Sequence, residues 1–178
     1  GTQSPGSEDR TIQRGYTAEH RGSAAPKVDM RGVIDDALEM QGTSLAARSV
    51  YVERLYREEE LCVRGDRTKL VRVIMNLLRN SVEAFDRQMD GEAERMVRVS
   101  AYRDGDRAVI TIEDNGPGFS SKEPETDLSS SKGESGGLGL KAVGGLIEAH
   151  GGELEREPSG LGGALIRITL PCREEDQD

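Results

Sequence analysis

The chain has 178 residues and a net charge of −9, with 34% apolar against 32% charged residues, two Phe, four Tyr and no Trp. That length holds one domain with a real core. The acidic balance argues against a nucleic-acid or anionic-membrane surface, both of which need a basic patch, and no apolar run approaches the roughly 20 residues that span a bilayer.

Residues 1–26 carry Gly, Ser, Pro, Thr and charge without an apolar period. Such a segment cannot bury enough surface to offset its ordering entropy, and a flexible leader is expected there. His20, followed by Arg21 and Gly22, reads as a solvated linker residue. The first methionine is Met30, so the chain is expected to be a piece of a longer protein with sequence upstream of Gly1. Val28 to Met30 reads as a short strand leading into a helix from Arg31 to about Ser44, with Val33, Ile34, Ala37, Leu38 and Met40 on its apolar side. Val50–Tyr56 and Leu61–Arg64 are β-rich runs expected to form a hairpin. Cys62 and Cys172 match neither a metal spacing nor a disulfide framework and read as reduced thiols of a cytosolic protein.

The stretch from Asp66 to Phe85 is the clearest helix of the chain. Asp66 is placed to cap it. At about 100 degrees per residue, Val71, Ile74, Met75, Leu78, Val82 and Phe85 fall on one stripe. Asn76, Asn80 and Glu83 fall on nearly the opposite one. Asn is roughly half a kcal/mol worse than Ala inside a helix, so two of them one turn apart beside a carboxylate suggest a site. A solvated helix face has the same pattern, and the helix alone leaves both readings open.

Met96–Arg103 and Ala108–Glu113 alternate in the strand manner around a tight turn at Asp104-Gly105. A polar segment from Ser120 to Gly137 is too long for an ordinary connection. A helix is expected from about Leu138 to His150, stopped by Gly151-Gly152. Two last strands, Glu153–Arg156 and Ala164–Leu170, form a hairpin around Ser159-Gly160. The domain is expected over residues 27–172, with an acidic tail over 173–178. Strands joined by hairpins, with helices between them, predict an α/β two-layer sandwich.

Two glycine-rich stretches carry the remaining chemistry. Asp114-Asn115-Gly116-Pro117-Gly118 follows a strand, where a carboxylate can accept from an exocyclic amine while glycines let the backbone pass close to a ring. D-N-G is equally an ordinary turn. Gly136-Gly137-Leu138-Gly139-Leu140 opens a helix, where backbone N–H groups and the dipole favour phosphate; linkers share that composition. Ser129-Ser130-Ser131-Lys132 between them reads as part of a lid whose lysine can meet a terminal phosphate.

Taken in order, the asparagine helix, strand-D-N-G-P-G, the polar loop and G-G-L-G-L opening a helix that closes in E-A-H-G-G resemble the GHKL ATPase superfamily. Within it, the match is to the catalytic ATP-binding domain of sensor histidine kinases, over about residues 28–171. The resemblance implies the Bergerat fold: a mixed, mostly antiparallel sheet with three main helices on one face, binding Mg-ATP under a flexible lid. It implies Asn80 as the Mg²⁺ ligand, with Asn76 beside the γ-phosphate and Glu83 on the same nucleotide-facing stripe. Asp114 is implied to read adenine, with Gly116 and Gly118 as the glycines of that box. Gly137, Leu138 and Gly139 would line the phosphates. Lys132 matches the lysine ending the lid's Ser/Thr run. His150 matches the E-A-H-G-G histidine and reads as structural, not as a phosphoacceptor. The chain departs from the family at Leu128 and Ser129, where two phenylalanines are usual.

Mg²⁺ bridging ATP phosphates suits an Asn carbonyl oxygen with waters. Phosphoryl transfer needs positioning and charge neutralisation. The superfamily's hydrolases carry a glutamate one turn before the metal asparagine, where this chain has Asn76. An amide cannot take a proton from water, which favours transfer to a histidine; Glu83 is the one candidate base against that. The expected partners are a dimerisation and phosphoacceptor domain upstream in the parent chain and a response regulator, with no nucleic acid and no direct membrane contact. A cytoplasmic location is expected, the parent being either free or membrane-anchored. Two other readings stay open: an anti-sigma-type protein-serine kinase, and a non-catalytic nucleotide-responsive module.

Overall fold

The computed structural model of the protein describes residues 25–87, 94–118 and 139–172. The chain starts with β1 (Lys27–Asp29) and α1 (Met30–Met40). Asp29 caps α1 by accepting from the Arg31 N–H at 3.1 Å. Met30, Val33, Ile34, Ala37 and Leu38 form the buried face of that helix. The helix expected to reach Ser44 breaks at Gln41, and a separate short helix α2 (Gly42–Ala47) follows. Gly42 and Thr43 are weak helix formers, and the change of direction lets Leu45 bury.

The next two strands depart from the expected hairpin. β2 (Val50–Tyr56) runs parallel to β4 (Arg95–Asp104), whereas β3 (Cys62–Arg64) pairs antiparallel with β1. The link between β2 and β3 carries Arg57, Glu58, Glu59 and Glu60 with no turn-forming glycine or asparagine. Leu61 at its end is 1% exposed, and its carbonyl accepts from the Met30 N–H at 2.7 Å, which draws β3 to β1 instead.

The asparagine helix is α3 (Arg67–Arg87). Asp66 caps it as expected, its Oδ1 accepting from the Lys69 N–H at 3.1 Å. β4 and β5 (Arg107–Asp114) form the expected hairpin, closed by the Asp104↔Arg107 pair. α4 (Leu140–Ala149) is followed by the hairpin of β6 (Glu153–Pro158) and β7 (Ala164–Pro171).

The main sheet has the order β2-β4-β5-β7-β6, with only β2 and β4 parallel. Its inner face is built in register: Val99 pairs with Ile112, Ala101 with Ile110, and Ile110 with Ile168. These side chains share one core with Ile34, Leu70, Ile74, Leu78, Val143 and Ile147 from α1, α3 and α4. Each such Ile or Leu contributes about 2 kcal/mol by burial. The helices therefore lie on one face of a mixed, mostly antiparallel sheet, as expected.

The outer face is covered by long polar side chains. Arg98 bridges to Glu53 at 2.8 Å, Arg57 lies over the Tyr102 ring at 5.5 Å, and Arg167 pairs with Glu155 at 3.6 Å and with Glu157. Their stems shield the middle strand, so Val109, Thr111 and Glu113 are buried on the face away from the helices. The edge strand β2 is tied to α1 by Asp35, whose Oδ1 accepts from Tyr56 at 2.7 Å and Arg54 at 2.9 Å.

Candidate nucleotide site

The site is built where the end of β5 meets the middle of α3. Asp114 closes β5 and is 3% exposed. A buried carboxylate accepts only, and every oxygen here is supplied with donors. Oδ1 takes the Gly116 N–H at 2.9 Å and the Ala164 N–H at 3.3 Å, while Oδ2 takes the Ser81 hydroxyl at 3.0 Å. The Asp114 main-chain oxygen takes the Gly163 N–H at 3.1 Å. Gly116 also lies against Phe85, a fully buried ring with the Arg95 guanidinium 5.7 Å from its centroid.

Gly163 allows this arrangement. A Cβ there would collide with both Asp114 oxygens on that side and stand 2.6 Å from the Gly116 nitrogen. The turn between β6 and β7 is held in turn by Ser159, which donates to Glu113 Oε1 at 2.7 Å and accepts from the Leu161 N–H at 2.8 Å. The sequence marks Ser159 only as part of a hairpin turn, and it marks neither Ser81 nor Gly163 as a site residue. Ser81 directly follows Asn80 in NLLRNS, and Gly162-Gly163 stands just before a strand, so the local signals existed but named no partner.

On α3, Asn76 is 7% exposed, and its side-chain N–H₂ donates to the Arg72 carbonyl at 2.7 Å. Asn80 is half-buried, and no described residue bonds its carboxamide. An amide oxygen with no partner among the described residues suits a hard cation, and no cluster of three or more His, Cys, Asp or Glu among those residues competes for one. The donor set thus fits Mg²⁺ held mostly by phosphate and water. Glu83 sits on the flank of the same helix, lining a cleft of about 670 Å³ with Gln41, Thr43, Arg79, Val82 and the Arg48–Asp86 pair. It faces α2.

Gly118 has φ of +79°, with the backbone of Gly163 near it. Gly139 is the N-cap of α4 and makes no side-chain cap, so among the described residues no capping side chain serves the first-turn N–H groups of that helix. Lys132, Gly137 and Leu138, with the rest of the expected lid including Leu128 and Ser129, lie outside the described residues, as does His20.

His150 stands at the C-cap of α4 with its ring engaged on both sides. Nδ1 meets the Leu146 carbonyl at 2.8 Å and must be the protonated nitrogen; Nε2 accepts from the Asp66 N–H at 3.2 Å. This histidine latches the end of α4 to the start of α3. Gly65 leaves room for it, since a Cβ there would strike the ring.

The comparisons agree with this geometry. Residues 65–174 match the family described as histidine kinase-, DNA gyrase B-, and HSP90-like ATPase. The sensor histidine kinase ZraS of Klebsiella oxytoca is 29% identical over 85% of this chain, which spans 32% of that protein. A mycobacterial sensor histidine kinase, MprB, shares 30% identity and a TM-score of 0.66 over 84% of this chain and 98% of that structure. The catalytic domain of histidine kinase ThkA superposes with a TM-score of 0.71 at 19% identity, over 85% of this chain and 97% of that one. ThkA has also been solved in complex with response regulator protein TrrA. A profile that covers the asparagine helix, both glycine stretches and the last strand, together with this sheet order, places the chain in the histidine kinase-, DNA gyrase B- and HSP90-like ATPase family, as a nucleotide-binding catalytic domain of the histidine-kinase type.

Proposed function

We propose that the domain transfers the γ-phosphate of ATP to a histidine on a separate phosphoacceptor domain. Asp114 reads the adenine amine with its buried carboxylate, while Gly116 and Gly118 let the chain pass close to the ring. Gly137, Leu138 and Gly139 offer N–H groups to the phosphates, and Lys132 meets the terminal phosphate. Mg²⁺, when bound, would be held by the Asn80 amide oxygen and phosphate oxygens, and would neutralise charge there. Glu83 remains the one carboxylate on this helix stripe, as a rim residue.

The observation that carries the reading is Asn76. It stands one turn before Asn80, buried, with its amide donating to a helix carbonyl. The hydrolases of the superfamily have a glutamate there to take a proton from water, and an amide cannot do so. A neutral imidazole is already a good nucleophile and needs positioning more than a base.

The test supplies the acceptor domain separately with labelled ATP. Acid-labile phosphohistidine on the acceptor is expected, with slow release of free phosphate in its absence. Acid-stable phosphoserine, or fast hydrolysis without acceptor, would overturn the proposal. The upstream phosphoacceptor domain and a downstream response regulator are the partners this chemistry requires. Among the described residues no helix is long and apolar enough to cross a membrane, and the domain acts on whichever side supplies ATP.

A further inference from the structure

Cys62 and Cys172 are the only cysteines of the chain and lie 110 residues apart, yet they meet. Cys172, just past β7 and 5% exposed, points its Sγ at the Cys62 main-chain oxygen, 2.9 Å away. Neither cysteine is in a disulfide, and Cys62 on β3 is only partly buried. Covalent geometry holds a carbonyl oxygen within about 5 Å of its own residue's sulfur, so with that 2.9 Å contact the two sulfurs lie within about 8 Å of each other. Cys62 is the more accessible of the two, on a three-residue strand at the margin of the fold.

We propose that this pair is a thiol–disulfide exchange site, which takes a small-molecule disulfide and closes into an intrachain Cys62–Cys172 disulfide. Cys62 reacts first because it is reachable. Its thiolate attacks one sulfur of the reagent, the reagent's S–S bond breaks, and one thiolate leaves and takes a proton from solvent. Cys172 then loses its proton to solvent and attacks Cys62 Sγ, displacing the second small thiolate. Two protein thiols are oxidised and one small disulfide is reduced to two thiols, so no further oxidant is needed. Burial, with the Glu60 and Asp29 carboxylates nearby, pushes the Cys62 thiol up. The thiolate is therefore scarce at neutral pH, and the exchange quickens as pH rises.

The product would staple β3 to the end of β7. β3 leads through Gly65 directly to Asp66, the cap of the asparagine helix. A cross-link at that point therefore fixes the start of α3 against the sheet, on the same side as the His150 latch.

The test treats the whole folded chain with oxidised glutathione at about pH 8.5 and follows intact mass without reductant. A transient glutathione adduct is expected, giving way to a monomer two hydrogens lighter, with a linked Cys62–Cys172 peptide on digestion, a raised Tm and full reversal by dithiothreitol. Cys172→Ser should stop at a stable adduct on Cys62, and folded Cys62→Ser should resist the reagent. A stable adduct on the unsubstituted chain, a disulfide-linked dimer, or no reaction while the denatured chain reacts would each overturn the proposal.

Discussion

The Ser81 hydroxyl donates to Oδ2 of Asp114 at 3.0 Å, a bond between α3 and β5 across 33 residues of sequence. Because Ser81 follows Asn80, this bond ties the proposed metal end of the site to its adenine end. The Ser81→Ala protein keeps the Gly116 and Ala164 donors on Oδ1, so its loss is partial: about 1 kcal/mol, or roughly fivefold in nucleotide affinity. Asp114→Asn replaces an acceptor by a group that is half donor, and should lose about 100-fold. Calorimetric titration with ATP checks both. Unchanged affinity in Asp114→Asn would remove the adenine assignment.

Asn80→Ala deletes an amide oxygen that no described residue uses. The fold should be unaffected, with Tm within a degree or two of the parent, since a partly exposed side chain without partners among the described residues is lost. What should vanish is the dependence of ATP affinity on Mg²⁺. Titrations with and without a chelator decide the point, and a variant that still binds more tightly with Mg²⁺ would exclude Asn80 as the ligand.

Gly163→Ala tests the close approach beneath Asp114. A methyl group at that position meets Asp114 Oδ1 and also the Asp114 main-chain oxygen and the Gly116 nitrogen, backbone atoms that cannot swing away as a side-chain tip would. Displacing the turn breaks its bonds to Asp114, and a stability loss of about 2 kcal/mol with weakened nucleotide binding is expected. Urea unfolding monitored by circular dichroism gives the first number. Gly160→Ala, with open space around it, serves as the control and should be near neutral.

His150→Ala leaves the Asp66 N–H without its acceptor at the head of α3. The expected cost is about 1–2 kcal/mol, read from the urea midpoint. Because both ring nitrogens are engaged in the fold, no phosphate should appear on His150 in the unsubstituted domain, which mass spectrometry at alkaline pH can establish.

Asp29 gives the acid limb of stability a specific source. Burial alone would raise its pKa, but bonds from the Arg31 side chain and from the Arg31 and Leu61 N–H groups outweigh it and hold the carboxyl below its ordinary value. With the native pKa depressed, the unfolded chain binds the proton first. The stabilisation is full above the ordinary carboxylate value of about 4 and is lost as pH falls through the native one. Denaturant midpoints between about pH 5 and pH 3 should fall more steeply for the parent than for Asp29→Asn.

The asparagine helix was legible because its apolar period is long and Asp66 announces its start. The β4–β5 hairpin was legible because its turn is local. What sequence could not supply was partnership. The runs at Val50 and Leu61 read correctly as strands, but β propensity says nothing of a neighbour, and each pairs with a strand that is remote in sequence from the other. The break at Gln41 was hidden because no proline marks it in the sequence. The partners of Asp114 lie 33 and 50 residues away, joined by a hydroxyl and a backbone N–H that leave no periodic trace.

The parallel seam between β2 and β4 has a consequence for the order in which the chain assembles. Glu53 and Arg98 are 45 residues apart, with β3 and all of α3 between them, whereas β4 and β5 meet across a two-residue turn. Loop-closure entropy delays the distant pairing, so β2 should dock last and detach first. Native-state hydrogen exchange should find the β2 amides opening well before those of β5. An intermediate lacking β2 exposes the edge of β4, with Val97 and Val99 uncovered, to any other chain. Glu53→Ala, which weakens only that seam, should therefore aggregate on mild heating below its own unfolding midpoint, a failure that light scattering would register before circular dichroism did.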